Sequence, residues 1–423
     1  MDVINTSKVA LTRNNHCGNR PRRAGTAGTR SVMLLLAAVA SLTGARAARA
    51  DEAVVAWGNN QHGQCTTPPG IGVVTAIDAG VGFTVALKAD GAVVAWGYNA
   101  YGQCTTPLGI GFVVAIAAGG GHTVAIKADG SVVAWGRHDF GQCTTPPGIG
   151  AVTAIAAGDI HTVALKANGS VVAWGSNGNG QCTTPPGLGV VNAIAAGGFH
   201  TVALKANGAV VAWGDNDYGQ CTSPPGLGVV TAIDAGSQHT VALKADGAVV
   251  AWGYNNVGQC TTPPGIGVVN AVSAGGYFTV ALKANGSVVA WGHNAFGQCT
   301  TPSGIGVVTA VAAGAYHTVA LKADGAIVAW GYNGEGQCNI PAGIGPGTAI
   351  AAGFGHTVAR ANTLSNCEDQ LAAAQAVIAQ QAAEILLLNA RIAILQLGDL
   401  NEDGAVDASD IATLLNSWGI GGK

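Results

Sequence analysis

The chain repeats one unit of 39 residues along most of its length. Tryptophans recur at this spacing at eight positions: Trp57, Trp96, Trp135, Trp174, Trp213, Trp252, Trp291 and Trp330. Each copy is close to AAGxxHTVALKADGxVVAWGxNxxGQCTTPPGIGxVTAI. A fixed period of this length is typical of proteins in which every unit buries its apolar face only against its neighbours. With 65 glycines and only 10% charged residues, the repeat does not suit an ordinary α/β enzyme.

Every unit contains short runs rich in β-forming residues. HTVALK and VVAW are separated by Asp-Gly or Asn-Gly, as at Asp90-Gly91 and Asn168-Gly169. These dipeptides are the strongest short-range signal for a β-hairpin, because a type I′ turn needs positive φ at both central positions. VVTAI offers a further strand, and the Gly- and Pro-rich stretch after each Trp predicts turns. About four short strands per unit predict an all-β fold, and specifically a β-propeller.

The repeat is offset at its two ends. It begins half-way through a unit, at residues 54–57, and ends with the other half, at residues 351–358. The first strand can therefore complete the last blade and leave no free sheet edge. Eight tryptophan strands and eight Ala-Gly segments predict eight blades within a domain spanning residues 51–361.

The combination of AAGxxHTVAL, DG and VVAWGxNxxGQ, as in residues 157–181, resembles the repeat of the regulator of chromosome condensation family. The resemblance covers residues 53–360. Members of this family are commonly seven-bladed propellers, so the resemblance leaves seven blades as the alternative to eight. The short unit ending in TTPP is closer to secreted bacterial members, such as the propeller-type β-lactamase inhibitor proteins, than to the nuclear exchange factor.

The copies differ from one another mainly in two short windows, one after Trp-Gly and one after Ala-Gly. Because the two strands form a hairpin, both windows are expected at the end opposite the Asp-Gly turn. All seven tyrosines of the chain fall in these windows. Tyrosine makes large amphipathic contacts at low entropic cost. The predicted binding face consists of Tyr98, Tyr101, Phe140, Tyr218, Tyr254, Tyr277, Phe296, Tyr316 and Tyr332. The alternative is that these rings only pack between neighbouring blades.

Two further residue types recur at fixed positions. Histidine occupies one position in six copies, at His122, His161, His200, His239, His317 and His356, whereas Phe83 and Phe278 replace it in two. Because Phe cannot bind a metal, structural histidines that donate to the backbone are favoured over a ring of metal ligands. The repeat cysteines are Cys65, Cys104, Cys143, Cys182, Cys221, Cys260, Cys299 and Cys338. They form either disulfides or buried thiols that behave as small hydrophobic side chains, and the spacing expected in a ring favours thiols.

Residues 1–50 are predicted to be a signal peptide. A basic stretch precedes an uncharged apolar run at residues 32–42, and Ala48-Arg49-Ala50 fits a cleavage site. This segment holds 8 of the 19 Lys and Arg residues and 1 of the 22 acids, which leaves 11 bases and 21 acids in the remainder. An acidic body argues against nucleic acid as a partner. The apolar run is shorter than the roughly 20 residues of a spanning helix, so we expect a secreted, periplasmic or cell-surface protein without membrane insertion.

The C-terminal part changes in composition. Heptads in residues 364–397 predict a coiled-coil helix that could form a homo-oligomer, and the alternative is an amphipathic helix docked on the propeller. In a parallel dimeric coiled coil, Cys367 at a core heptad position would face its copy and could form a disulfide between chains. Residues 398–419 resemble a single type I dockerin repeat, which leaves a cohesin-like partner open. The resemblance of this segment to a dockerin repeat implies Ca²⁺ as a cofactor. The ion would be held by Asp399, Asn401, Asp403, Ala405, Asp407 and Asp410.

These features favour a secreted, non-enzymatic scaffold that recognises an extracellular protein or polysaccharide through its tyrosine-rich face. Scattered acids such as Asp159, Asp215 and Glu335 form no recognisable catalytic motif, and a repeated histidine cannot supply a unique acid and base. The alternative function, implied by the resemblance, is inhibition of an extracellular enzyme such as a β-lactamase or another hydrolase.

Overall fold

The computed structural model describes residues 52–363, which form 24 β-strands. No helix within this range is long and apolar enough to cross a membrane. The predicted signal peptide (1–50), the predicted coiled coil (364–397) with Cys367, and the predicted calcium repeat (398–419) with its six ligands lie outside the described residues.

Each repeat contributes three strands, which we name first, middle and third. The first strands are β2 (Val74–Ala79), β5 (Val113–Ala118), β8 (Val152–Ala157), β11 (Val191–Ala196), β14 (Val230–Ala235), β17 (Val269–Ala274), β20 (Val308–Ala313) and β23 (Ile344–Ala352). The middle strands are β3 (Phe83–Lys88), β6 (His122–Lys127), β9 (His161–Lys166), β12 (His200–Lys205), β15 (His239–Lys244), β18 (Phe278–Lys283), β21 (His317–Lys322) and β24 (His356–Thr363). The third strands are β1 (Glu52–Gly58), β4 (Val93–Gly97), β7 (Val132–Gly136), β10 (Val171–Gly175), β13 (Val210–Gly214), β16 (Val249–Gly253), β19 (Val288–Gly292) and β22 (Ile327–Gly331).

The strands form eight three-stranded antiparallel sheets within the described residues. In the sheet of β2, β3 and β4, Phe83 lies opposite Gly97 and Leu87 lies opposite Val93. The predicted hairpin is therefore confirmed, but its predicted type I′ turn is wrong. The Gly91 N–H donates to the Lys88 carbonyl at 3.0 Å and the Lys88 N–H donates to the Ala92 carbonyl at 2.8 Å, so the loop has three residues, 89–91, with Gly91 at a positive φ of 79°. First strands of consecutive sheets pack against one another, which makes them the innermost strands.

The prediction of about four strands per unit is wrong, because each sheet has three. The stretch after each third strand is held as turns by its own side chains. Asn99 Oδ1 accepts a hydrogen bond from the Cys104 N–H at 2.8 Å, and Gly102 has a φ of 79°. Pro107 has no N–H to donate to a ladder. This stretch therefore satisfies its polar groups locally and does not pair as a fourth strand.

The two ends of the repeat pair as the sequence offset predicts. β1 is hydrogen-bonded to β24, with Trp57 opposite Thr357, so the first strand completes the last sheet. The apolar core consists of clusters between neighbouring sheets, and each tryptophan packs into the preceding sheet, as Trp135 does against Phe83 and Val85. The same cluster type joins the last sheet to the first, where Val358 packs with Val74. Each sheet thus buries its apolar side chains against the neighbouring sheets.

Candidate functional site

The two variable windows meet at one end of every described sheet. The Tyr98 N–H donates to the Gly82 carbonyl at 2.8 Å, and the Tyr332 N–H donates to the Tyr316 carbonyl at the same distance. Each bond joins the residue after a third strand to the residue before a middle strand. The predicted placement of both windows opposite the Asp-Gly turns is therefore confirmed, and we call this end the variable end.

Constant residues hold the loop that carries the variable side chains. In the loop after β4, Gln103 is fully buried and its Oε1 accepts the Tyr101 N–H at 3.0 Å. Asn99 Nδ2 donates to Thr105 Oγ1 at 3.1 Å, and the Gly102 N–H donates to the Asn99 carbonyl. Equivalent bonds recur in other copies, for example between the Tyr218 N–H and Gln220 Oε1. The scaffold leaves the intervening positions free to vary without loss of backbone hydrogen bonds.

The aromatic side chains of the variable end form three clusters, which together contain all nine residues of the predicted binding face. The tyrosine cluster consists of Tyr218, Tyr254 and Tyr277; the phenylalanine cluster of His293, Phe296, Tyr316, Tyr332 and Phe354; and the arginine cluster of His62, Tyr98, Tyr101, Arg137 and Phe140. Ring centroids lie 4.7 to 6.2 Å apart within them. Such tilted and edge-to-face contacts stabilise aromatic pairs.

The rings pack on one another and still remain accessible. Tyr101, Phe140, Tyr218 and Phe296 expose 43%, 46%, 48% and 46% of their surface, whereas the other five predicted residues are partly buried. Contacts between neighbouring sheets therefore account for only part of each ring. Sequence reasoning missed His62, Arg137, His293 and Phe354 as members of this surface, although all four lie in the same variable windows.

Charge is distributed unequally between the two ends of the sheets. The variable windows carry five acids, namely Asp139, Asp159, Asp215, Asp217 and Glu335, and one base, Arg137. The Asp-Gly end carries seven lysines at the ends of the middle strands and four aspartates in the turns. Four of these lysines pair with the turn aspartates, as Lys88 does with Asp90 at 3.0 Å. The variable end is thus acidic and the opposite end basic.

The repeated histidines are structural, but their partner is not the predicted backbone group. His200 Nε2 lies 3.0 Å from Thr240 Oγ1 on the next sheet, and that hydroxyl donates to the Gln220 carbonyl at 2.8 Å. The hydroxyl proton is thereby used, so Nε2 carries the proton and donates to the threonine. Burial, together with the nearby His161 and His239, lowers the pKa of His200 to about 3. Each of the six histidines makes this bond to the adjacent sheet, which explains its position without a metal.

All eight repeat cysteines are free thiols in the structure. Cys182 Sγ donates to the Ser176 carbonyl at 3.1 Å, and the other repeat cysteines bond in the same way. Burial raises the pKa of Cys182 to about 12. Each thiol therefore supports the loop of its own repeat, in agreement with the thiol interpretation.

The profile of the regulator of chromosome condensation (RCC1) repeat matches seven segments: residues 74–103, 113–142, 152–181, 191–220, 230–259, 269–298 and 308–337. Each segment runs from a first strand to the loop after a third strand. The eighth sheet combines β23 and β24 from one end of the repeat with β1 from the other, so its strands are not contiguous in sequence.

Solved structures show the same fold. Prp20p from Saccharomyces cerevisiae is 18% identical over 78% of this chain and 95% of its own, with a TM-score of 0.54. Yeast RCC1 (Prp20) bound to Kap60 is 17% identical over 86% of this chain and 99% of its own, with a TM-score of 0.54. Human WBSCR16 is 18% identical over 74% of this chain and 100% of its own, with a TM-score of 0.52. No curated protein sequence matches the chain. From the repeat matches and the shared fold, the chain is a β-propeller built from RCC1-type repeats.

Proposed function

We propose that this protein is a secreted, non-enzymatic propeller that binds a protein partner through the aromatic surface of its variable end. The observation that carries the proposal is the combination of a constant loop scaffold with variable aromatic side chains. Half-exposed rings such as Tyr101, Tyr218 and Phe296 stand on loops fixed by buried glutamines. Rigid aromatic anchors of this kind dominate the energy of many protein interfaces.

The solved relatives support a binding role in general terms. Prp20p binds Gsp1p and histones, and yeast RCC1 (Prp20) binds Kap60. Sequence identity to this chain is below one fifth, so the likeness supports the fold and not a particular partner. The variable residues of this chain have to specify its own partner.

Three further parts of the proposal rest on the sequence. Export follows from the predicted signal at residues 1–50, and Ca²⁺ binding from residues 399–410. Attachment or homo-oligomerisation follows from the predicted coiled coil at residues 364–397. These parts would present the propeller outside the cytoplasm and link it to a second copy or a larger assembly.

We also propose that the eight sheets are the blades of one closed ring. His356 Nε2 in the last sheet lies 3.1 Å from Thr84 Oγ1 in the first, the same bond that joins five other pairs of neighbouring sheets. Arg360 also donates to the Val74 carbonyl across this junction. In a ring of seven blades, one of the eight sheets could not pack between two neighbouring sheets. Averaged electron micrographs that show seven blades would contradict the proposal.

The binding proposal is tested with one substitution in each aromatic cluster. Full-length wild-type protein and the Tyr98→Ala/Tyr218→Ala/Tyr332→Ala variant are immobilised and exposed to the extracellular medium of the source organism. A Val190→Ala/Val229→Ala/Val268→Ala variant serves as control, because these valines are exposed at the Asp-Gly end. The wild type and the control should retain the same protein partner, and the tyrosine variant should lose it.

Equal capture by the tyrosine variant, with unchanged thermal unfolding, would contradict the proposal. Two parallel measurements distinguish the alternatives. Binding on a glycan array, sensitive to the tyrosine substitutions, would replace the protein partner by a polysaccharide. Inhibition of secreted hydrolases by the wild type, lost in the tyrosine variant, would identify the partner as an enzyme and the protein as its inhibitor.

A further inference from the structure

The arginine cluster shows how this surface accommodates a guanidinium group. Arg137 Nε donates to Asp139 Oδ2 at 2.9 Å, and its Cζ lies 5.3 Å from the ring centroids of both Tyr101 and Phe140. A carboxylate thus binds the guanidinium while two aromatic rings contact it. This combination joins a charge-assisted hydrogen bond with cation–π attraction.

Two repeats further along, the same positions carry the carboxylate and the ring but no cation. Asp217 corresponds to Asp139 and Tyr218 to Phe140, whereas Asp215 replaces Arg137. The position of Tyr101 carries Asn179 here, so the second ring comes from another position. It is that of Tyr254 on the following repeat, whose centroid lies 4.9 Å from that of Tyr218. Asp215 Oδ1 accepts the Asp217 N–H at 3.1 Å, so both carboxylates lie on one short turn, which Tyr218 follows in the sequence.

We propose that this site, formed by Asp215, Asp217, Tyr218 and Tyr254, binds an arginine side chain of the protein partner. The inference rests on the proposed function and names the chemistry of the partner: a cationic protein surface with at least one projecting arginine. The partner's guanidinium would bind Asp217 and the ring of Tyr218 as Arg137 binds Asp139 and the ring of Phe140. The surrounding charge supports this choice, because the variable windows hold five acids against the single base Arg137.

The opposite end of the sheets does not offer the same chemistry. Its seven lysines outnumber its four turn aspartates, and Lys166, Lys205 and Lys283 stand next to asparagine turns instead of aspartate turns. A cationic partner would be repelled there and attracted to the variable end. Charge would therefore orient the encounter and raise the association rate in a salt-dependent way.

The two aspartates can be neutralised without a change in loop structure. Asn59 stands at the position that corresponds to Asp215, and its Oδ1 accepts the Gln61 N–H at 3.2 Å in the same turn. Asn256 stands at the position of Asp217. The Asp215→Asn/Asp217→Asn variant therefore reproduces side chains that other copies already carry. A matched control is Asp246→Asn/Asp324→Asn at the Asp-Gly end, where Asn168 and Asn207 occupy the same turn position.

The probe is a phage-displayed library of random dodecapeptides selected on the immobilised full-length protein. We expect the selected peptides to be enriched in arginine relative to the unselected library. Their affinity should fall about ten-fold in the Asp215→Asn/Asp217→Asn variant and on replacement of the peptide arginine by citrulline. It should stay within about two-fold in the matched control. Asp215→Arg should weaken binding further, because the protein would then place its own guanidinium in the site.

The outcomes separate this inference from the proposed function. Peptides that lose affinity in Tyr218→Ala/Tyr254→Ala but not in the aspartate variant or as citrulline analogues would leave the aromatic binding surface standing and overturn the arginine site. Peptides that bind equally to wild type and to variants in all three aromatic clusters would overturn both. Circular dichroism and thermal unfolding of each variant establish that the comparison is made between folded proteins.

Discussion

Replacement of one interior histidine by phenylalanine should leave the stability almost unchanged at neutral pH and increase it at acidic pH. His200 is fully buried and donates through Nε2 to Thr240 Oγ1 of the next sheet at 3.0 Å, while its Nδ1 has no hydrogen-bond partner. His200→Phe removes one neutral hydrogen bond, which costs about 0.5–1.5 kcal/mol, and also removes a buried unpaired acceptor. Thr240 still donates to the Gln220 carbonyl. We therefore expect a change in unfolding free energy within about 1 kcal/mol at pH 7.5.

Two repeats already show that phenylalanine fits this position. Phe83 and Phe278 are fully buried there. Opposite Phe83, Thr123 keeps its bond to the Gln103 carbonyl at 2.9 Å. The substitution therefore creates neither a cavity nor a new unpaired hydroxyl. His200→Ala, in contrast, removes the ring and should destabilise the protein by about 3 kcal/mol.

At acidic pH the loss of the histidine should stabilise the folded protein, because the folded and unfolded chains bind different numbers of protons. Burial lowers the pKa of His200 to about 3, whereas an unfolded histidine titrates near 6.5. Below pH 6.5 the unfolded chain binds a proton that the folded protein does not, so stability is present above that pH and is lost as the pH falls. At pH 5 each such histidine costs the folded state about 2 kcal/mol. Because six histidines are buried in this way, the whole propeller should be acid-labile.

The assay is urea unfolding followed by tryptophan fluorescence at pH 7.5 and pH 5. His200→Phe should be near the wild type at pH 7.5 and about 2 kcal/mol more stable than it at pH 5. His138→Ala, which removes an exposed histidine at the variable end, is the control. An equal effect of His200→Phe at both pH values would refute the assignment of a neutral, buried imidazole.

Three other predictions concern local features. Gly158→Ala should destabilise the fold by at least about 3 kcal/mol in thermal unfolding, because the new Cβ would lie 2.4 Å from His161 Cε1 and 2.6 Å from the Gly197 carbonyl, whereas Gly178→Ala has open space and should be close to neutral. Cys182 is partly buried and burial raises its pKa to about 12, so its thiol should react with a thiol reagent at pH 8 much more slowly in the native protein than after unfolding; equal rates would contradict the raised pKa. The full-length protein should bind one Ca²⁺ in calorimetry and lose that heat in Asp399→Ala, and a wild-type protein without binding heat would show that the tail holds no calcium.

The sequence alone determined the repeat, the hairpins and the pairing of the two chain ends. These features are local: the Asp90-Gly91 signal marks where its hairpin turns, and the offset between residues 54–57 and 351–358 leaves only one partner for each half unit. The register was not predicted, because a type I′ turn would pair Ala89 with Ala92, whereas the three-residue loop pairs Lys88 with Ala92. Because the strands of each hairpin are antiparallel, the sequence also placed both variable windows at one end of the sheets. All nine residues of the predicted binding face therefore lie in the aromatic clusters that the structure shows.

Only the tertiary structure decided what lies between neighbouring repeats. The histidine partner is a threonine 40 residues away on the next sheet, a contact that no local pattern encodes. The loop after Trp-Gly is not a fourth strand, because side chains such as Asn99 and Gln103 satisfy its backbone before another strand can. Likewise, Arg137 reaches a ring of the preceding repeat, Tyr101. Spacing predicts contacts within a hairpin, whereas contacts across sheets depend on how the sheets pack, and that geometry exists only in the folded ring.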